Sequence, residues 1–165
     1  MRKHFRYLSY VLRHRWCVFI ECCKLGIPWR GVVHDLSKFS PAEWFPYAEH
    51  FHGGNRDIHH GRDKTGYYRA GDTGDDTFDF AWLHHQHYNK HHWQWWVLPL
   101  DASDRVVRPM PDVYRKEMLA DWRGAGRAQG TPDTKAWYLA NKEKMLLHPE
   151  TRQWIEERLL RGQQQ

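Results

Sequence analysis

The chain has 165 residues, a length that suits one domain built around a single hydrophobic core. Its formal net charge of +5 favours anionic partners, such as a nucleotide, a nucleic acid or a phosphorylated metabolite. The longest stretch that leans towards apolar residues covers residues 16–27 and contains Glu21 and Lys24. It is far shorter than the roughly 20 residues of a membrane-spanning helix, and no secretory signal precedes it, so we expect no membrane protein.

Cysteine and histidine usage narrows the class of protein further. Cys17, Cys22 and Cys23 fall in one predicted helix without a CxxC pair, which argues against a disulfide framework or a structural zinc knuckle. We therefore expect reduced thiols and a cytoplasmic protein. The 13 histidines are more informative, because histidine is the commonest metal ligand and most of them are clustered in this chain.

An apolar stripe with helical spacing predicts a first helix over residues 3–24, ended by the Gly-Ile-Pro sequence at 26–28. His14 lies on this stripe, three residues after Val11 and four before Val18. Side chains at these intervals share one face of a helix. His14 is therefore expected to point inward.

The next two helices are predicted close together. A short helical segment over residues 32–36 carries the dipeptide His34-Asp35. The sequence Ser-Pro-Ala-Glu at 40–43 is typical of a helix start, with a serine cap, proline at the first helical position and glutamate at the third. It predicts a third helix over residues 41–51.

A long loop is predicted over residues 53–76, which are rich in Gly, Asp, Arg and His and show little periodicity. Loops of this length inside a domain usually have a function, and we interpret this one as a flap over a site. The histidines in and beside the loop, His52, His59 and His60, are expected to be solvated.

Helical patterns dominate the second half of the chain. The predicted segments are a helix over 77–89, an apolar segment over 93–98, a helix over 111–123 stopped by Gly124 and Gly126, a helical pattern from the cap at 131–133 to about 145, and a helix over 149–160. No stretch alternates like a half-buried strand for more than a few residues, and no internal repeat is visible. The prediction is an all-α, single-domain orthogonal helical bundle over residues 1–165.

Histidines and aspartates from separate predicted helices form a set that indicates a metal site. The set consists of His14, His34, Asp35, His85, His91, His92 and Asp121. Each lies on or beside an apolar surface, where an unpaired imidazole or carboxylate is costly to bury and a shared metal would remove that cost. These ligand types together suit Mn, Fe, Co, Ni or Zn. We expect one or two divalent transition metals.

Helical phase favours His85 among the later histidines, because it continues the apolar spacing of Phe78 and Trp82 and so faces the core. The predicted metal ligands are His14, His34, Asp35, His85 and Asp121. The ordinary alternative for Asp121 is an ion pair with Arg115 or Arg123.

His91 and His92 remain alternatives for a second metal. One would be a ligand, and the other would donate a proton to the leaving group or orient a ligand. His84 and His87 are expected at the surface or beside a ligand.

The order of His14, His34-Asp35 and Asp121 resembles the H…HD…D signature of the HD-domain superfamily of metal-dependent phosphohydrolases. The resemblance implies a helical bundle in which these residues, on separate helices, bind one metal. The sequence HDLSK at 34–38 is similar to the HDxxK form of variants that hold two metals. That similarity implies that Lys38 contacts a substrate anion, whereas its ordinary alternative is a solvated lysine at a helix end.

A closer resemblance is to the DUF5662 family, which has members of about this length in bacteria and phages. The shared blocks are HDLSKFSPAEW at 34–44, AWLHHQHYNKHHW at 81–93, MPDVYRKEMLADW at 110–122 and WYLANKEKMLLHPETR at 137–152. In that family a proline commonly follows the asparagine, where this chain has Lys90. This difference leaves open whether the helix breaks after Asn89 or continues through His92.

These features predict a metal-dependent phosphohydrolase that acts on a nucleotide or another small phosphoester through a metal-activated water. Lys38, His91 and His92 are predicted to take part in catalysis, and Lys38, Asn89, Arg62 and Arg69 to bind the small anionic substrate. One alternative is an HD-type di-iron oxygenase of a small phosphorylated or phosphonate substrate. Another is a non-catalytic module that binds nucleic acid or a partner through its basic and aromatic surface.

Overall fold

The computed structural model describes residues 1–54, 61–68, 73–101 and 104–160, and these residues are mainly α-helical. The helices are α1 (Arg2–Lys24), α2 (Pro28–Val33), α3 (Pro41–His52), α4 (Asp76–Tyr88), α5 (Asp112–Gln129), α6 (Thr134–Asn141) and α7 (Pro149–Leu160). The shorter elements are the 3-10 helices Leu36–Phe39, Trp93–Trp96 and Lys142–Lys144 and the strands β1 (Val97–Pro99) and β2 (Arg105–Val107). The predicted helical class is confirmed. A search of the described helices found none with the length and apolar character that crossing a membrane requires.

A small antiparallel hairpin departs from the purely helical prediction. β1 pairs with β2 so that Val97 lies opposite Val107 and Pro99 lies opposite Arg105. Each strand has three residues, and most of their side chains are exposed. Such short, exposed strands cannot produce a recognisable alternation of apolar and polar residues. The hairpin is therefore a local addition to the all-α architecture that the sequence predicts.

Helix α1 packs against α2, α3 and α5. Its predicted apolar stripe is buried, and Val11 and Val18 are fully inaccessible to solvent. His14, on the same stripe, is also buried, as its helical phase predicts. The helix therefore carries an imidazole into the core between two apolar turns.

Close contact between α1 and α5 explains an error in the predicted end of α5. The helix does not stop at Gly124 and Gly126 but continues to Gln129. The next residue, Gly130, has a φ of 80°, the left-handed conformation that is common after a helix. At Gly124 an added Cβ would lie 2.5 Å from Val18 Cγ2 and 2.7 Å from Val18 N. This glycine therefore serves close packing of two helices rather than helix termination.

Two apolar clusters flank the helices that carry the polar core residues. One lies mainly among α5, α6 and α7 and includes Leu119, Tyr138 and Ile155. The other lies among α1, α3 and α4 and includes Tyr7 and Phe78. Because α1, α4 and α5 each contribute apolar side chains to a cluster, their positions are fixed by packing. Polar groups on these helices are thus held in defined places.

Helix α4 ends before the later histidines. Its last residue is Tyr88, and Asn89 has an extended backbone with φ −104° and ψ 108°. The Asn89 side chain donates to the carbonyl of His85 at 2.9 Å, which satisfies a backbone group at the helix end. The helix therefore breaks here, and His91 and His92 lie on a separate turn.

The structure describes only part of the predicted flap, because residues 55–60 and 69–72 lie outside the described ranges. The predictions for His59, His60 and Arg69 fall on these residues. Residues 61–68 form a small loop that is closed by an isolated antiparallel β-bridge between Arg62 and Tyr68. Asp63 accepts hydrogen bonds from the backbone N–H groups of Thr65 and Tyr67. The prediction for His52 is wrong, because its side chain is buried at the end of α3 beside aromatic rings of α1.

Candidate metal centre

Seven predicted imidazole and carboxylate side chains meet at one place and form two donor sets that share one carboxylate. The first donor set consists of His14, His34, Asp35 and Asp121. The second donor set consists of Asp35, His85, His91 and His92. Their segments are distant in sequence: α1, the turn after α2, α4, the turn after α4, and α5. The structure thus brings together the five predicted ligands and both alternatives.

The first donor set has the spacing of ligands around a single ion. His14 Nε2 lies 3.3 Å from His34 Nε2, 3.3 Å from Asp121 Oδ1 and 3.4 Å from Asp35 Oδ2. His34 Nε2 lies 3.4 Å from Asp35 Oδ2 and 3.5 Å from Asp121 Oδ1. Nitrogen and oxygen ligands about 2.1 Å from a tetrahedral ion are about 3.4 Å apart. These five separations match that spacing, and His14, His34 and Asp35 offer ligand atoms within 4.8 Å of one another, as do His34, His91 and Asp121.

The second donor set is looser. His91 Nε2 lies 3.4 Å and His85 Nε2 3.6 Å from Asp35 Oδ1, and one ligand atom from each of the four residues lies within 4.8 Å of the others. Among the described residues, Asp35 Oδ1, His91 Nε2 and His92 Nε2 are buried without a hydrogen-bond partner. Buried polar atoms are normally paired, so three unpaired atoms in one cluster fit a second ion.

The two oxygens of Asp35 face different donor sets, and the residue itself lies in a tight turn. Contrary to prediction, His34 and Asp35 do not lie on a helix, because α2 ends at Val33 and the 3-10 helix starts at Leu36. Asp35 has φ 52° and ψ 31°. Among the residues that the structure describes, it is the one non-glycine residue with a positive φ. Aspartate tolerates this left-handed conformation better than most residues, although it is still strained, and such strain is concentrated at functional sites.

Glu117 contacts two imidazoles of the centre, and the sequence analysis missed it. It lies on α5 one turn before Asp121 and is fully buried. His34 Nδ1 donates to its Oε1 at 3.1 Å, and His91 Nδ1 lies 3.4 Å from the same oxygen. Arg30 donates to its other oxygen at 2.7 Å. A carboxylate on Nδ1 directs the Nε2 lone pair of each imidazole towards the centre, as is usual for metal ligands.

Glu43 has the same role for His85 and was also missed. Its pattern at the start of α3 predicted a capping glutamate, and the helix does start there. The side chain is instead fully buried, and it accepts from His85 Nδ1 at 2.8 Å and from His84 Nδ1 at 2.8 Å. The helix-start signal thus concealed a residue that orients the imidazole of His85. His84 itself lies partly exposed, as expected.

The charged environment makes His34 unusually basic. Burial alone would lower its pKa, but Asp35, Asp121 and Glu117 outweigh burial and raise the pKa of His34 to about 10. Burial would likewise raise the pKa of Asp35, yet His34 and Lys38 hold it well below its usual range. The carboxylate is therefore ready to bind an ion, and His34 must release a proton when it does.

Three other imidazoles of the centre, those of His14, His85 and His92, have lowered pKa values. Burial lowers the pKa of His14, and burial together with the charge of Lys38 lowers the pKa of His85. Burial, His91 and His85 lower the pKa of His92 well below its usual range. A neutral imidazole is the form that coordinates a metal.

The model of DUF5662, described as a family of unknown function, matches residues 3–161 and so includes both donor sets. The chain belongs to the DUF5662 family. No curated protein and no solved structure matches it.

Lys38, in the first shared DUF5662 block, is buried inside the centre rather than solvated at a helix end. Its Nζ lies 3.1 Å from Asp35 Oδ2 and 3.2 Å from His85 Nε2. Burial would lower its pKa, but Asp35 and Glu43 outweigh burial and raise it. The lysine is therefore a cation in direct contact with both a carboxylate and an imidazole of the second donor set.

Two other residues predicted to bind substrate have partners of their own. Asn89 donates to Ser37 Oγ at 2.9 Å in addition to the carbonyl of His85. Arg62 donates to the carbonyl of Gly66 at 2.9 Å, and its guanidinium lies 5.9 Å from the centre of the Tyr68 ring. These contacts show how both side chains are held in this DUF5662 protein.

Asp121 does not form the ion pair with Arg115 or Arg123 that was its ordinary alternative. Arg115 pairs with Asp112 and Glu150, and Arg123 approaches Glu21. Asp121 instead faces imidazoles of both donor sets.

Proposed function

We propose that this DUF5662 protein is a metal-dependent phosphohydrolase of the HD-domain type, acting on a nucleotide or another small phosphoester. The observation that carries the proposal is the shared carboxylate of Asp35, which offers Oδ2 to the first donor set and Oδ1 to the second. Two ions held about this carboxylate would be close enough to act on one substrate, as in two-metal phosphoesterases.

The ions would be divalent transition metals such as Mn, Fe, Co, Ni or Zn, which suit mixed imidazole and carboxylate ligands. The first donor set would hold one ion and the second donor set the other. When bound, such ions lower the pKa of a bound water towards neutrality and neutralise charge that develops on phosphate oxygens.

The protein's own groups would orient the ligands and the substrate. Glu117 and Glu43 keep the Nδ1 hydrogens of His34 and His85 in place, so that each Nε2 faces the centre. Lys38 would supply a positive charge for a phosphate group. Its contact with Asp35 supports this role, because it already lies beside the shared carboxylate.

His92 is better suited to bind an ion than to donate a proton. Its pKa is lowered well below the usual range by burial and by the neighbouring imidazoles. A group that is neutral at physiological pH cannot supply a proton to a leaving group as an acid. Of the two roles foreseen for His92, we therefore propose the ligand.

The test is elemental analysis of the purified protein combined with a phosphoester screen in Mn²⁺ and Co²⁺, for the native protein and Asp35→Asn. We expect bound metal and phosphoester hydrolysis in the native protein, and loss of both in the variant, because the shared carboxylate serves both donor sets. Asp112→Asn, at the exposed start of α5, makes the same chemical change away from the centre and should retain both. Full metal content and activity in Asp35→Asn would contradict the proposal.

A di-iron oxygenase is the second candidate, favoured by the number of imidazole nitrogens around the shared Asp35 carboxylate. Protein purified without oxygen would then contain iron and give the spectrum of a mixed-valent pair. Zinc or manganese without an iron signal would eliminate this candidate.

A further inference from the structure

The amino group of Lys38 lies within the second donor set. Its Nζ is 3.2 Å from His85 Nε2 and 3.1 Å from Asp35 Oδ2. The whole residue is 8 % exposed, so this group belongs to the buried cluster. An ion that enters the second donor set must therefore meet it.

His85 has a single lone pair for either the lysine or an ion. Its Nδ1 donates a hydrogen to Glu43 Oε2 at 2.8 Å, which leaves Nε2 as the only acceptor of the ring. That acceptor faces Lys38 Nζ. A lone pair that accepts a hydrogen bond cannot coordinate an ion at the same time, so the two contacts of His85 exclude each other.

The first donor set is not blocked in this way. Within the described part of the chain, Lys38 pairs with this set only through Asp35 Oδ2. A carboxylate oxygen has two lone pairs and can accept from the lysine while it binds an ion. The first donor set can thus be filled while Lys38 remains in place.

Lys38 also lies beside an aromatic ring in its present position. Its Nζ lies 5.0 Å from the centre of the Tyr47 ring, within the range of a cation–π contact. The carboxylate of Glu43 is fully buried, and its charge favours the lysine cation. An ammonium group that leaves His85 would therefore keep a favourable interaction with this carboxylate.

We propose that Lys38 is a gate on the second donor set, so that the protein binds one divalent ion readily and a second only when Lys38 leaves His85. An anion such as phosphate, by drawing the ammonium group away, would promote entry of the second ion. This inference rests on the metal binding of the proposed function but does not depend on hydrolysis.

Titration of the metal-free protein with Co²⁺, followed by visible absorption and calorimetry, measures the affinity of each ion. In the native protein we expect the second ion to bind about tenfold or more weakly than the first. The reason is that only a minor fraction of molecules has Lys38 away from His85, the arrangement that the second ion needs. Lys38→Met should tighten the second ion by about the same factor and change the first much less, because Lys38 meets the first donor set only through Asp35 Oδ2 among the described residues. Lys38→Arg should keep the second ion weak.

Lys135→Met, on α6, removes the same charge outside the centre and should behave as the native protein does. Inorganic phosphate should tighten the second ion more in the native protein than in Lys38→Met. Lys38→Leu, which also lacks a hydrogen-bond donor, serves as a second variant with the same expected result if Lys38→Met does not fold, which circular dichroism would show.

The outcomes separate this inference from the proposed function. If the native protein binds two ions equally, or if the second ion binds Lys38→Met no more tightly, the gate is wrong while the metal centre stands. If the native protein binds no ion at all, both proposals fail.

Discussion

Carboxylates outside the two donor sets orient the imidazoles of this centre, and Glu117 is the main example. Glu117 serves two imidazoles and is itself held by Arg30 through contacts of 2.7 Å to Nε and Nη2. Its pKa is lowered to about 2, because His34 and His91 outweigh the effect of burial. It therefore stays charged throughout the neutral range and keeps both Nδ1 atoms protonated.

Glu117→Gln tests this role. The amide has the same shape, but it presents no charge and can turn its NH₂ group towards an imidazole. We expect Co²⁺ or Zn²⁺ affinity to fall about 10- to 100-fold, the usual effect of losing a partner of a metal ligand. Glu150→Gln, an exposed partner of Arg115, is the matched control for isothermal titration. Unchanged affinity in Glu117→Gln would show that Glu117 has only a structural role.

At the scale of elements, the contact between α1 and α5 fixes the distance between His14 and Asp121. Gly124 makes this contact possible, because any Cβ there would overlap both the backbone and the side chain of Val18. The two helices carry opposite sides of the first donor set. Their separation therefore affects both stability and metal binding.

Gly124→Ala should destabilise the protein by about 1–3 kcal/mol, the usual cost of overpacking a core. Helix propensity alone predicts the opposite, a gain of about 1 kcal/mol. Urea unfolding at equilibrium measures the difference, and Ala125→Gly in the same helix calibrates the propensity effect. A Gly124→Ala protein as stable as the native one would show that the helices can separate without cost.

At the scale of the whole molecule, an ion in the first donor set would connect α1, the turn after α2, and α5. Such an ion stabilises the folded state, since it binds that state and not the unfolded chain. At 100 times the dissociation constant the gain is about 2.7 kcal/mol. For a chain of this size it corresponds to a rise in Tm of roughly 5–10 °C.

The gain in Tm should grow as pH rises from 6.5 to 8. The raised pKa of His34, about 10, means that the metal-free protein holds a proton there at both pH values. The ion must displace that proton, so binding strengthens as protons become scarcer. Differential scanning calorimetry with and without Co²⁺ measures the gain, and Asp35→Asn should show none at either pH. A gain that shrinks with rising pH would contradict this assignment.

Most helices were predictable because their signals are local. The apolar stripe of α1, the Ser-Pro start of α3 and the spacing of Phe78, Trp82 and His85 on α4 all act within a few turns. The same spacing placed His14 and His85 in the core, since a residue in phase with buried neighbours shares their face. By itself, the sequence determined the helical class and most of the candidate ligands.

Tertiary structure alone decided how those ligands are arranged. The two residues that orient imidazoles, Glu117 and Glu43, act on partners 83 and 42 positions away. Gly124 ends no helix, because its neighbour Val18 belongs to another helix. Asp35, whose oxygens face different donor sets, lies in a left-handed turn that no periodic pattern encodes. Contacts between residues distant in the chain leave no trace in local spacing, and such contacts make the centre.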